Sequence, residues 1–195
     1  ALAGGTAEGS IEMRFARGRD YPQLVTEARV TGGDVRAVRD FLPAGRMRPT
    51  TYAWLAHAFT AGRLTGGYLS YRGPVRRFPF RQGEGEFKAS ATVEGMTLDY
   101  ASGFTPLTDA AGTVDFHNAS IRAQLRAGRA GELRLTAGEF MLADYRDPLL
   151  EIDASGSGDL GHALVLLQRS PLGPRLGDLF MDLSGSGAAD FALAL

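Results

Sequence analysis

The chain has 195 residues, of which 44% are hydrophobic and 22% are charged, and its net charge is −1. This composition excludes a disordered chain, and the absence of a strongly basic segment argues against nucleic acid as the main partner. Cysteine is absent, which excludes disulfides, thiol nucleophiles and cysteine-ligated metal sites. Because the chain opens without Met and closes on an alternating run, we expect it to be a piece of a longer protein.

Alternating apolar and polar residues predict ten strands, separated by many of the 26 glycines. In residues 119–128, for example, Ile121 and Leu125 alternate with Arg122 and Arg126. Strands joined by short glycine turns form an antiparallel meander with one apolar face and one polar face. In chain order, the predicted strands are 10–17, 23–31, 64–72, 84–93, 96–101, 111–117, 119–128, 131–143, 148–156 and 183–195.

Two segments with helical spacing interrupt the alternation in the first third of the chain. Residues 33–43 predict a helix with Asp34 as its N-cap and Pro43 as its stop. Residues 48–62 predict a second helix, which carries an apolar stripe and ends at Gly62.

A third short helix is predicted within residues 158–173, and a weaker helical turn within 174–181. We therefore interpret residues 1–195 as a single fragment with two parts. The first is a helical insert or cap at 33–62, and the second is a β-meander at 63–195 that contains a helix near 159–170.

One glycine motif resembles a dinucleotide fingerprint. Gly156, Gly158 and Gly161 form G-x-G-x-x-G between a strand and a helix, and Asp178 follows at about the expected distance. The preceding strand alternates, however, whereas the buried parallel strand of a nucleotide fold is uniformly apolar. We favour a simple strand end and helix start.

Other candidate chemistry is weak. The three histidines show no zinc-ligand spacing, the aspartates show no calcium-loop spacing, and no nucleophile motif occurs. We therefore expect no enzyme activity, no cofactor and no metal. The residues considered are His57, His117, His162, Asp144, Asp147 and Asp153.

Scattered motifs resemble the YhdP family of the AsmA-like superfamily. In residues 40–80 a Leu-Pro precedes a helix with Trp-Leu, and a glycine-led strand then runs into "FPF". "GEF" at 85–87, "MTLDYASGFTPLTDAAGTVDFHNASI" at 96–121 and "SPL" at 170–172 also match the family pattern. The resemblance covers about residues 33–195.

The resemblance implies a large envelope protein of Gram-negative bacteria, anchored in the inner membrane by an N-terminal helix and extending across the periplasm. It implies a curved β-sheet that forms a hydrophobic groove, along which phospholipids move toward the outer membrane. The fold we expect is therefore mainly β: an elongated, curved antiparallel sheet, open or taco-like, with about three short helices.

Two functions stay open at this point. The apolar face can bind acyl chains as a segment of a lipid conduit, or it can pack on protein in a structural or assembly module without a ligand. Strand edges at both ends also predict edge-to-edge pairing of the isolated chain and pairing with neighbouring groove segments. The predicted groove-lining residues are Phe87, Val93, Ile121, Leu125, Leu133, Leu135, Leu150, Ile152, Phe191 and Leu193.

Overall fold

The computed structural model describes residues 4–15, 22–37, 49–144, 147–175 and 177–194. Within these ranges nine antiparallel strands form one sheet, and their order across the sheet is their order in the chain. The strands are β1 (Thr6–Arg14), β2 (Gln23–Thr31), β3 (Phe59–Pro74), β4 (Glu86–Leu98), β5 (Leu107–His117), β6 (Ser120–Ala130), β7 (Leu133–Asp144), β8 (Asp147–Asp159) and β9 (Ala188–Ala194).

The meander is confirmed, but several predicted strand bounds are wrong: β3, for example, extends beyond the predicted 64–72 at both ends, and one predicted break between strands does not exist. The predicted strands 84–93 and 96–101 are one strand, β4. Gly95, which lies between these two predicted strands, has a φ of 58° and is located where the register with β5 shifts between Val93 and Met96. Glycine serves a bulge as readily as a turn, so composition alone does not separate the two.

Two helices of ten residues are present in the described ranges, α1 (Pro49–Ala58) and α2 (Leu160–Arg169), together with a single turn, α3 (Asp178–Met181). We expected about three short helices. The predicted end of α1 at Gly62 is wrong, because β3 already begins at Phe59, which pairs with Leu98 of β4.

The helix predicted at 33–43 is described only in part. Residues 35–37 form a 3-10 turn, and Asp34 accepts a hydrogen bond from the backbone N–H of Arg36 at 2.8 Å. Residues 38–43 lie outside the described residues. None of the described helices is long and apolar enough to cross a membrane.

Both ten-residue helices lie at the same end of the sheet, called here the helical end, where β3, β5, β7 and β9 begin. The indole N–H of Trp54 on α1 donates to the carbonyl oxygen of Tyr100 at 2.8 Å. A Cβ built on Gly103 would lie 3.1 Å from Pro171, so the β4–β5 loop also touches the segment after α2. The opposite end, called the loop end, carries the β3–β4 connection at residues 75–85.

The start of α2 depends on Asp159. Its carboxylate accepts hydrogen bonds from the backbone N–H groups of Gly161 and Gly187, both at 2.8 Å, and of His162 at 3.3 Å. The carboxylate thereby caps the helix and also ties it to the segment that leads into β9. The hydrogen bond from Gly187, and then the one from His162, lower the pKa of Asp159.

Replacing Asp159 by Asn is expected to lower the melting temperature at pH 7, because a neutral amide accepts these N–H groups less well. Since the folded pKa of Asp159 is depressed, its stabilisation is present above the unfolded pKa and is lost as the pH falls through the folded pKa. Thermal unfolding from pH 7 to pH 3 should show the difference between wild type and Asp159→Asn narrowing in the acid range. A difference that does not change with pH would contradict this role.

The core is small for a chain of this size. Among the described residues only seven hydrophobic side chains are buried, and the central cluster joins Leu107, Ala110 and Leu125. The accessible area is 12801 Å², whereas a compact monomer of the same mass exposes about 9,000 Å². The excess is expected of a sheet with no second layer packed on it.

Candidate functional site

Register places apolar side chains from neighbouring strands in continuous rows on one side of the sheet, called here the apolar face. Ile121 of β6 lies opposite Phe116 of β5 and opposite Leu142 of β7, which in turn lies opposite Leu150 of β8. A second row runs through Ala91, Val114, Ala123, Phe140 and Ile152. Because partners in register share a face, each row crosses several strands without a polar interruption.

All ten residues predicted to line the groove fall on the apolar face. They differ in burial: Leu133 and Leu125 are 6% and 8% exposed, whereas Leu150 is 50% exposed. Both buried residues lie toward the helical end. Leu125 packs on Leu107 and Ala110, and Leu133, the first residue of β7, lies against Gly158 of β8. The strand registers that place the ten residues are those of β4 with β5, β5 with β6, β6 with β7, β7 with β8 and β8 with β9.

Much of the apolar face is open to solvent. On edge strand β1, Ile11 and Met13 are 77% and 56% exposed, and they lie in register with Thr26 and Leu24 of β2. In the described residues the strands pack on their sequence neighbours, and no second sheet covers them. The described residues therefore do not form a sandwich that closes the apolar face on itself.

The opposite face carries the charges. Arg122 pairs with Glu139 at 3.1 Å, and Lys88 pairs with Glu86 at 2.7 Å. The hydrogen bond from Lys88 lowers the pKa of Glu86. These pairs are solvent-exposed and each stabilises the fold little, so their main effect is to keep this face in water.

An aromatic cluster closes the apolar face at the loop end. Tyr71 of β3 and Phe87 of β4 lie opposite each other, and Phe78 and Phe80 fold onto them from the β3–β4 loop. The ring centroids of Tyr71 and Phe80 are 5.2 Å apart, and those of Phe78 and Phe87 are 5.4 Å apart. Such ring pairs each contribute about 0.5–1.5 kcal/mol beyond the area that they bury.

Two glycines make room for this cluster. Phe80 is 2% exposed, and a Cβ on Gly73 or Gly85 would lie 2.8 or 2.7 Å from its ring. Phe80 itself has a φ of 59°, an uncommon value for a bulky residue, and its close packing holds it there.

The cluster contains one buried hydroxyl, that of Tyr71. The Tyr71 oxygen is buried and makes no hydrogen bond within the described part of the chain. Burial also raises the pKa of Tyr71. A buried hydroxyl without a partner costs about 1–3 kcal/mol, so such a group calls for an explanation. Sequence reasoning missed it, because "SYRG" reads as ordinary strand alternation.

An ion pair fixes the far part of the same loop. The Nε and Nη2 groups of Arg81 donate to the two carboxylate oxygens of Asp144 at 2.9 and 2.6 Å. Asp144 ends β7, so the β3–β4 loop reaches over the ends of the intervening strands. The two-pronged geometry gives orientation as well as attraction. Asp144, which was weighed above as a calcium ligand, is thus a salt-bridge partner of Arg81 in the structure.

A shallow cleft of about 390 Å³ lies at the helical end. Its lining includes Trp54, His57, Asp99, Tyr100 and Phe104. Burial, and then the charge of Asp99, raise the pKa of Tyr100. The described residues contain no group of His, Asp and Glu that could hold a metal ion, so His57 has no ligand partners there.

The glycine motif is explained by close packing in the sheet. A Cβ on Gly156 would lie 2.2 Å from the carbonyl oxygen of Arg134, and one on Gly158 would lie 2.6 Å from Leu133. The third glycine, Gly161, lies in the first turn of α2, where a Cβ would meet the carbonyl oxygen of Gly185 at 2.6 Å. The strand before it is antiparallel to both neighbours, unlike the parallel strand of a nucleotide fold.

A single-layer sheet with an open apolar face defines a class of protein that binds apolar ligands or an apolar protein surface. The chain belongs to the YhdP protein family, whose sequence pattern matches residues 2–195. Family membership confirms the resemblance read from the motifs.

The chain is similar to the intermembrane phospholipid transporter YhdP of Escherichia coli (strain K12), with 23% identity over 176 residues. The match covers 90% of this chain but 14% of that relative, so the chain spans a small part of the relative's length. No solved structure matches the chain.

Proposed function

We propose that this chain is a segment of a hydrophobic β-groove that binds phospholipid acyl chains on its apolar face and passes them between the inner and outer membranes. The observation that carries the proposal is the apolar face itself, which crosses the sheet in unbroken rows and which no second layer covers in the described residues. The similar transporter of E. coli supplies the ligand class.

The physics of the face suits transport. Burying one CH₂ group contributes about 0.8 kcal/mol, so an acyl chain gains from leaving water anywhere along a row. No single polar contact fixes its position on residues such as Ala123 or Ile152, and the chain can therefore slide. The ten predicted lining residues would act together as this path.

Sheet curvature is a further part of the proposal. Register shifts interrupt the pairing of β3 with β4, β4 with β5, β5 with β6 and β7 with β8 in the halves nearest the helical end, and β7 with β8 has a further shift at the loop end. Bulges bend strands and increase their twist. A bend shared by adjacent strands would turn the apolar face into the concave wall of a groove.

In the full-length parent, we propose, the groove lies in the periplasm and an anchor outside this chain holds it to the inner membrane. Neighbouring segments of the same parent would pair with edge strands β1 and β9. The isolated chain would then pair edge to edge, since a free strand edge is a template for another strand.

The same face could instead pack on protein, in a structural or assembly module. Either a lipid acyl chain or an apolar protein surface would cover the exposed side chains of Ile11, Met13 and Leu150. The two functions differ in whether lipid reaches the face.

The chain contains no cysteine, so single cysteines can carry an environment-sensitive fluorophore. Ala123 lies on the apolar face and Gln124 next to it on the polar face, which makes them a matched pair. Phospholipid should shift the emission of the Ala123→Cys conjugate to the blue and leave the Gln124→Cys conjugate unchanged. No shift at either position, or equal shifts at both, would favour the structural module.

A further inference from the structure

The β3–β4 loop is unusually basic. Residues 75–81, "VRRFPFR", contain three arginines and no acidic residue. Arg81 is paired with Asp144, whereas Arg77 is exposed and makes no ion pair within the described residues. The nearest acid in sequence, Glu84, accepts a hydrogen bond from the backbone N–H of Gln82 at 3.0 Å.

This basic loop adjoins the end of the apolar face. Phe78, next in sequence to Arg77, contacts the rings of Tyr71 and Phe87, which belong to that face. Phe78 is 42% exposed and Val75 is 44% exposed, so apolar and cationic groups meet water together here. An amphipathic ligand needs this arrangement, with an apolar surface beside a positive charge.

The unpartnered hydroxyl of Tyr71 is a second and independent observation. Among the residues that the structure describes it is a donor without an acceptor, and the Tyr71 ring stacks on Phe78, with centroids 6.1 Å apart, where the apolar face meets the basic loop. A ligand oxygen that enters beside Phe78 would satisfy it. A purely structural cluster would be served as well or better by Phe at this position.

We propose that the loop Val75–Gln82 is a phosphate-binding site for phospholipid headgroups, with Arg77 as the cation and the Tyr71 hydroxyl as a hydrogen-bond donor. The proposal rests on the proposed function, because it assumes that acyl chains lie on the apolar face. A phosphodiester oxygen pairs with a guanidinium through charge-assisted hydrogen bonds, while the acyl chains begin at Phe87 and run along the rows. The ion pair of Arg81 with Asp144 holds the loop in place for this contact.

The test compares two lipids with identical acyl chains, a phospholipid and a neutral diacylglycerol, on the full-length parent in mixed micelles. Binding is measured by quenching of a fluorophore on the apolar face. The variants are Arg77→Gln, Arg77→Lys and Tyr71→Phe, and Arg126→Gln removes the same charge from an exposed position far from the loop.

Arg77→Gln and Tyr71→Phe should each weaken phospholipid binding at least fivefold and leave diacylglycerol binding unchanged. Arg77→Lys should retain part of the phospholipid binding that Arg77→Gln loses. Arg126→Gln should change the binding of neither lipid. Tyr71→Phe should not lower the melting temperature. Equal losses for both lipids, or no loss for either, would overturn the headgroup site while the lipid groove stands. If soluble glycerol phosphate competes as well as the phospholipid, the site is one for free phosphoesters and the proposal is also overturned. If wild type binds neither lipid, the proposed function itself fails.

Discussion

Leu142→Glu is expected to lower lipid occupancy of the apolar face at least tenfold at pH 7. Leu142 lies in a row between Ile121 and Leu150, so an acyl chain on that row would bury the new carboxylate. Protonating a glutamate at pH 7 costs about 4 kcal/mol, which sets the upper limit of the penalty. The loss of lipid occupancy in Leu142→Glu should therefore become smaller as the pH is lowered toward 5, because protonating the glutamate then costs less. Lipid crosslinking at Ile152 in the parent measures the effect.

Met141→Glu is the matched control for this charge. Met141 is the preceding residue of β7, on the polar face, and it lies opposite Arg122. A glutamate there lies between Arg122 of β6 and Glu151 of β8, so attraction and repulsion across the strands offset each other, and the side chain does not enter the lipid path. Equal losses of lipid in the two variants would mean that the charge acts through folding, and that the rows of the apolar face do not carry lipid.

Gly112→Ala is expected to destabilise the fold by about 2–3 kcal/mol, the cost of overpacking a tight site. A Cβ on Gly112 would lie 2.2 Å from the carbonyl oxygen of Gln124, and this obstacle is backbone, which cannot rotate away. Gly112 lies opposite Val93 and Leu125, so the shift would reach the small core at the helical end. Chemical denaturation of wild type and variant measures the difference.

Gly66→Ala is the control for the loss of glycine flexibility. A Cβ on Gly66 would meet nothing within 4 Å, although this glycine also lies in a strand at a register shift. The alanine should be neutral, or stabilising by a few tenths of a kcal/mol, because it restricts the unfolded chain. Equal destabilisation at both sites would show that the close approach at Gly112 is not the cause.

The two faces of the sheet could be predicted from sequence because strand periodicity is local. Ile121 and Leu125 had to face away from Arg122 once the segment was a strand, and the register of β6 with β7 confirms it. Bulges could not be predicted in the same way. A glycine such as Gly95 fits a turn or a bulge, and only the partner strand decides between them.

The loop end was beyond sequence reasoning for a different reason. The contact of Arg81 with Asp144 joins residues 63 positions apart, and it depends on the width of the strands between them. The unsatisfied hydroxyl of Tyr71 depends on how Phe78 and Phe80 fold back over it. Such contacts follow from tertiary packing, and periodicity carries no information about them.

The most direct test of the lipid groove is site-specific photocrosslinking in cells, in the full-length parent. A photoreactive amino acid would replace Ile152 or Leu193 on the apolar face, and Arg122 or Arg134 on the polar face as outward controls. The groove predicts that radiolabelled phospholipid crosslinks at Ile152 and Leu193 and not at the arginines. Equal labelling of both faces, or crosslinks at Ile152 and Leu193 to protein alone, would contradict it.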